Sequence, residues 1–146
     1  MIYALDSNII SFLLRSSKNP EVVRRFNEIL EQGHDYVIPP FCYYEVYWLL
    51  LRKGATAQTR SFKDLVANSI ANIEMEESEF DKACEIRAMI EERGTPLGED
   101  GNQDADIFIA AHCITNGYTL VTDNINDFER IRSIDSDLRM TNWKVR

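Results

Sequence analysis

Long apolar runs are absent. No stretch of the 146 residues approaches the roughly 20 that a helix needs to cross a bilayer. The opening Met1-Ile2-Tyr3-Ala4-Leu5 is apolar but stops at Asp6, too short for a secretory core and without a basic lead. Membrane association is not expected, and the expected location is the cytoplasm. Cysteine is scarce: Cys42, Cys84 and Cys113 are odd in number and lack C-x-x-C spacing. A disulfide framework is thereby disfavoured, and all three read as core thiols in a reducing compartment. Two histidines, His34 and His112, show no metal-ligand spacing and read as surface or structural residues. Gly94, Gly98 and Gly101 form no G-x-G-x-x-G after a strand, so dinucleotide binding has no support. Basic residues are few, 16 Lys+Arg against 24 Asp+Glu, for a net charge of −8. That excludes a broad basic surface for duplex nucleic acid. Such a partner would need a local basic patch, or a metal that screens the acids.

What remains is ordinary globular material, 45% apolar and 27% charged, enough for one domain spanning residues 1–146. A short apolar strand over 2–5 ends at Asp6-Ser7-Asn8, where a helix can be capped. Helical patterns follow over 9–15 and 20–31, the second opened by Pro20 and closed by Gly33. Tyr36-Val37-Ile38 reads as a strand, and Pro39-Pro40 starts a strongly apolar helix that ends at Lys53-Gly54. Residues 57–72 and 78–93 carry helical patterns around a short candidate strand, Ile73-Glu74-Met75. Gly94 to Gln103 is a loop, Asp106 to Asn116 a helix, Tyr118 to Thr122 a strand, and Leu138 to Asn142 a candidate last strand. Strands alternating with helices of this length imply crossovers and a mostly parallel central sheet. The expected fold is a three-layer α/β/α domain.

Most of the acids lie in polar stretches. Glu74 to Glu85 holds six of them and reads as a solvated helix face. Four acids resist that reading. Glu45 has Phe41, Cys42, Trp48 and Leu49 as its helical neighbours, and a carboxylate there costs several kcal/mol unless it is paired or metal-bound. Asp106 begins the stripe Asp106, Ile109, Ala110, Cys113, with Asp104 available as the helix cap. Asp6 and Asp123 each directly follow an apolar strand, where a parallel sheet opens its functional crevice. Singly, each is explained as a cap, a turn residue or half of a buried ion pair. Together, they can face one edge of the sheet. Clustered carboxylates repel unless a cation lies among them, and an all-oxygen set selects Mg²⁺ or Mn²⁺ over zinc. Such ions serve phosphoryl chemistry, which reconciles the acidic charge with a nucleic-acid substrate.

The order of Leu5-Asp6-Ser7-Asn8-Ile9, helical Glu45, Asp106-Ile107-Phe108-Ile109-Ala110-Ala111-His112, Leu120-Val121-Thr122-Asp123-Asn124 and Asp127-Phe128 resembles that of PIN domains. Among these, VapC-type toxin ribonucleases of toxin–antitoxin pairs are the nearest match. The resemblance extends over nearly the whole chain, to Met140-Thr141-Asn142-Trp143. It implies that Asp6, Glu45 and Asp106 hold Mg²⁺ or Mn²⁺ and position a hydrolytic water. The family's fourth acid falls on Asn124 here, with Asp123 before it and Asp127 after it as candidate substitutes. The Ser or Thr that often lies a turn before the helical Glu is replaced by Phe41-Cys42. The implied activity is endoribonucleolytic, on tRNA, rRNA or other single-stranded RNA, by a homodimer neutralised by an antitoxin.

Arg52, Lys53, Arg60 and Lys63 form a basic island without an acid and are candidates for steering RNA phosphates, although a solvated helix end accounts for them equally. Phe41, Tyr43, Tyr44, Tyr47 and Trp48 cover more than one helix face, so part is core and the rest suits a dimer or antitoxin contact. Two other enzyme classes fit poorly. A haloacid-dehalogenase-like phosphatase wants an acid where Asn8 stands, and a receiver domain wants an acidic pair that is missing. The non-enzymatic alternative is a catalytically weak PIN-like module that holds RNA or protein, with Asn124 as its support.

Overall fold

Four parallel strands build the sheet in the computed structural model, which describes residues 1–94 and 103–144. They are β1 (Ile2–Leu5), β2 (Asp35–Val37), β3 (Thr119–Val121) and β4 (Arg139–Thr141), in the order β2-β1-β3-β4. The register sets Ala4 beside Val37 on one side and Leu120 on the other, with Leu120 beside Met140. Successive residues of a strand face opposite ways, yet Ala4, Leu5, Leu120 and Val121 are all fully buried. Both faces of the sheet are therefore covered, as parallel pairing requires. The covering helices are α1 (Ser7–Leu14), α2 (Pro20–Glu31), α3 (Pro40–Lys53), α4 (Thr56–Ala67), α5 (Glu77–Arg93), α6 (Gln103–Asn116) and α7 (Ile125–Arg132). The expected α/β fold is the one observed. None of the described helices is long and apolar enough to cross a membrane.

Local chemistry sets the boundaries. Pro20 and Pro40 open α2 and α3, where the missing amide hydrogen costs nothing. Gly117, at φ +72°, ends α6 and turns the chain into β3. Because α6 feeds β3 directly, its first turn lies at the carboxyl edge of the sheet. The helices α1, α3 and α7 begin at that same edge, each just after a strand. The stacked rings of Phe41 and Phe108, 4.8 Å apart, tie the first turn of α3 to the start of α6.

Several expectations need correction. The helix expected over 57–72 stops at Ala67, because Asn68 and Ser69 turn their side chains onto the carbonyls of Asp64 and Val66. The chain then crosses the outer edge of β2, where Ile70 donates to the Tyr36 carbonyl, and Ile73-Glu74-Met75 forms no strand. Cys84 is exposed rather than a core thiol, while Cys42 and Cys113 are buried. Asp104 lies inside α6 and pairs with Arg87 at 2.7 Å, so it is not the cap. Glu79 is no part of a solvated face: it is 4% exposed and contacts the buried His112. The loop expected over Gly94 to Gln103 falls, from 95 to 102, outside the described residues.

Candidate active site

The strand order places a switch point between β1 and β3, where the chain leaves the sheet in opposite directions and the carboxyl ends open a crevice. Asp6 sits at that point. Its amide donates to the Val121 carbonyl at 3.0 Å, which carries the β1–β3 pairing one residue past the strand. Its side chain caps α1 through the Ser7 amide at 2.8 Å, yet it is only 5% exposed. Four side chains hold the carboxylate. Thr122 donates to Oδ2 at 2.7 Å, Asn8 to Oδ2 at 3.4 Å, Ser7 to Oδ1 at 3.4 Å and the Cys42 thiol to Oδ1 at 3.5 Å. The Cys42 thiol is a weaker donor than a hydroxyl would be at this place. Burial and the carboxylates of Asp6 and Glu45 hold its thiol well above the usual range, so it stays protonated and donates.

Glu45, in the second turn of α3, is half-buried, and its carboxyl is raised above the ordinary value. Burial is the larger cause and the Asp6 carboxylate the second, while a hydrogen bond from Ser7 opposes both. Among the described residues no Lys or Arg forms an ion pair with Asp6 or Glu45. The buried ion pair weighed as the bland reading of Glu45 is therefore not found there. Two mutually repelling carboxylates with only neutral donors around them make a site suited to a hard cation. Asp106 is half-buried in the first turn of α6, at the same edge. Further along its stripe the Cys113 thiol is raised by burial and by Asp6. Among the described residues no three His, Cys, Asp or Glu side chains are gathered closely enough to enclose a metal ion. The structure brings Asp6 and Glu45 into electrostatic contact and leaves Asp106 outside a closed cluster.

The segment after β3 sets the competing acids in different places. Thr122 is fully buried, and its hydroxyl, while donating to Asp6, accepts the Asn124 amide at 2.9 Å. The Asn124 side chain donates to Asp127 at 3.0 Å, so these two form one unit at the start of α7. Asp123 is exposed and turned aside, accepting from Asn142 at 3.0 Å with the Lys144 ammonium 3.8 Å away. The Asn8 side-chain Oδ1 receives the Asp123 amide at 3.2 Å and locks this segment to α1. Ser7, Asn8 and Thr122 were missed as site residues in the sequence. Ser7 and Asn8 had one signal, their place directly after the strand-ending Asp6.

Of the basic island, Lys53 lines a groove of about 280 Å³ that also exposes Glu45, Ser7 and Asn8. Arg52 and Arg60 are exposed and do not line it. Lys63, on α4, packs against the tyrosines of α3, with its ammonium 4.0 Å from the centre of the Tyr47 ring and bonded to the Tyr43 hydroxyl.

One consequence concerns stability. Folded Glu45 binds its proton more tightly than unfolded Glu45, so metal-free protein loses stability as pH rises above the ordinary carboxylate value. Glu45→Gln removes that loss. Its melting temperature without metal is expected to exceed that of wild type at about pH 7, with the gap closing towards about pH 4. Calorimetry at both values measures this, and a lower melting temperature for Glu45→Gln at neutral pH would mean that a cation pairs with Glu45.

A parallel sheet in this order, with a buried aspartate at its switch point opposed by a helical glutamate, defines an α/β domain of the PIN class. Residues 3–134 match the PIN domain model, and the chain belongs to that family. The resemblance read from the sequence holds. Ribonuclease VapC2 of Rickettsia felis is 28% identical over 148 residues, covering 98% of each chain. Similar in structure is the crystal structure of VapBC2 from Rickettsia felis bound to a DNA fragment from their promoter, with a TM-score of 0.76 and 26% identity over 98% of this chain and 99% of that one. A DNA-bound VapBC from Salmonella typhimurium, 22% identical over 98% of each chain, shares the fold with a TM-score of 0.77.

Proposed function

We propose that the protein is a metal-dependent endoribonuclease, the toxin of a toxin–antitoxin pair, which hydrolyses RNA phosphodiester bonds at the carboxyl edge of the sheet. The observation that carries this reading is the opposition of Asp6 and Glu45 at the switch point with no Lys or Arg among the described residues paired to either. The ribonuclease named in Rickettsia felis supports RNA as the substrate, and the VapBC complexes support a cognate antitoxin as partner. A homodimer, and tRNA or rRNA as the cleaved species, belong to the same proposal.

Asp6, Glu45 and Asp106 would hold Mg²⁺ or Mn²⁺. When bound, the ion supplies a water activated for attack and neutralises charge on the phosphate. The rest falls to the protein's own groups. Thr122, Ser7 and Asn8 fix the Asp6 carboxylate so that it does not reorient when a substrate arrives. Asp127, steadied by the Asn124 amide, stands in for the missing fourth acid and orients the incoming water through a carboxylate lone pair. Lys53 attracts phosphate from the groove.

The test is cleavage of total RNA with Mg²⁺, Mn²⁺ or EDTA, by wild type and by Asp106→Asn. Discrete fragments are expected with either metal, lost with EDTA and in the variant. If antitoxin-free wild type cuts no RNA with any metal, the non-catalytic binding module becomes the better reading, and Asn124 its cause.

A further inference from the structure

The groove beside Glu45 is built by two helices that start at the acidic edge and run away from it. From α1 and the Arg15 that caps its end, the polar lining residues are Ser7, Asn8, Ser11 and Arg15. On α3 they include Glu45 and, two turns on, Lys53. The spacing of four and eight residues puts Ser7, Ser11 and Arg15 on one stripe, and Glu45 and Lys53 on another. Each wall is thus polar or acidic at the sheet edge and carries a single cation about 12 Å further along the helix axis. Leucine side chains lie between the walls.

In a chain of net charge −8, acids outnumber bases and most exposed cations could find a carboxylate. Arg24, Arg87 and Arg132 are in ion pairs, but among the described residues no acid pairs with Arg15 or Lys53. Among the described residues the guanidinium of Arg15 hydrogen-bonds a carbonyl, that of Ser11, at 3.5 Å through Nε. Both side chains are exposed at the groove. A distance of about two helical turns keeps them from the phosphate that the acids address. They can reach a neighbouring phosphate of the same strand.

Resting on the ribonuclease reading, we propose that Arg15 and Lys53 clamp a phosphate flanking the cleaved bond, so that a single RNA strand lies along the α1–α3 groove. Arg15 offers a planar fork of donors, Lys53 a point charge, and the leucines an apolar bed for unpaired bases. The clamp positions substrate and takes no part in the chemical step. Its loss therefore raises KM and leaves kcat unchanged.

The probe is a fluorescein-labelled oligouridylate, bound in EDTA so that nothing is cut and followed by anisotropy across a series of salt concentrations. For wild type, log K falls with log[salt], and the slope in Arg15→Gln/Lys53→Gln is expected to be shallower by about 0.7, the value for one phosphate contact on a single strand. Arg132→Gln, at the end of α7 away from the acidic edge, should leave the slope at the wild-type value. Melting temperature is read in parallel, since cations that served only the negative ends of α1 and α3 would alter stability and not the slope. An unchanged slope and KM in the double variant, with wild type cutting RNA, overturns the clamp and leaves the ribonuclease standing. Failure of wild type to cut any RNA sinks the ribonuclease reading instead.

Discussion

Asp6→Asn is expected to lower RNA cleavage by at least about 10³-fold, which is about 4 kcal/mol of barrier and within what a bound divalent ion supplies. The substitution removes the charge and almost no volume. The new side chain keeps an oxygen for the Ser7 amide, so the cap on α1 survives. Its amide faces Thr122, whose hydroxyl has a lone pair to receive it. The repulsion between Asp6 and Glu45 disappears at the same time. The melting temperature should therefore stay within a few degrees, about 1 kcal/mol either way. Single-turnover cleavage and calorimetry on the same preparation separate a lost ion from a lost fold. Cleavage at the wild-type rate by pure Asp6→Asn would remove the metal mechanism altogether.

The largest loss of stability is expected far from that edge, in His112→Ala. Glu79 on α5 and His112 on α6 are 4% and 7% exposed, and the Nδ1 of His112 meets Oε1 of Glu79. Asn116 donates to the same oxygen at 3.1 Å, and the Glu76 amide to the other at 2.8 Å, in the capping box that starts α5. Cutting away the imidazole leaves the carboxylate buried and short of a partner, and opens a cavity beside Tyr118, whose ring packs on it 5.5 Å away. A broken buried pair of this kind costs about 3–5 kcal/mol. For a chain of this size that is a fall of roughly 6–20 °C in melting temperature. Replacing both partners by apolar residues of similar volume should restore much of it, because no uncompensated charge is left. A loss below about 1 kcal/mol in His112→Ala would mean that water or Asn116 already satisfies Glu79. The pair joins α5 to the helix that carries Asp106, so the variant also tests whether the acidic edge depends on that docking.

The candidate acids were legible because each broke a local pattern. Asp6 ends an apolar strand, Glu45 interrupts an apolar helix and Asp106 heads an apolar stripe. Such breaks survive in one dimension. The residues that hold them do not: Thr122 is 116 positions from Asp6, and its role arises only when β1 and β3 lie side by side. Glu79 was lost in a run of acids, although it heads the buried stripe Glu79, Ala83, Ile86, Ile90 at helical spacing. That periodicity was available and outweighs the charge of the surrounding run. The basic island is divided in the fold, because four cations close in sequence leave α3 and α4 on different sides and only Lys53 reaches the groove. Arg15, the only cation in the first 17 residues, drew no notice as an isolated charge. Asn68 and Ser69 ended α4 through side-chain bonds to carbonyls, which periodicity does not register.

The central claim is that the carboxylates at the β1–β3 switch point hold a divalent cation. A crystal soaked in Mn²⁺, with data collected for anomalous scattering, tests it without relying on turnover. The expected map shows a peak within about 2–2.5 Å of carboxylate oxygens of Asp6 and Asp106, with Glu45 drawn towards it, and no such peak in a soaked Asp6→Asn crystal. A fully soaked wild-type crystal with no peak between these residues, or with manganese bound only elsewhere, would contradict it.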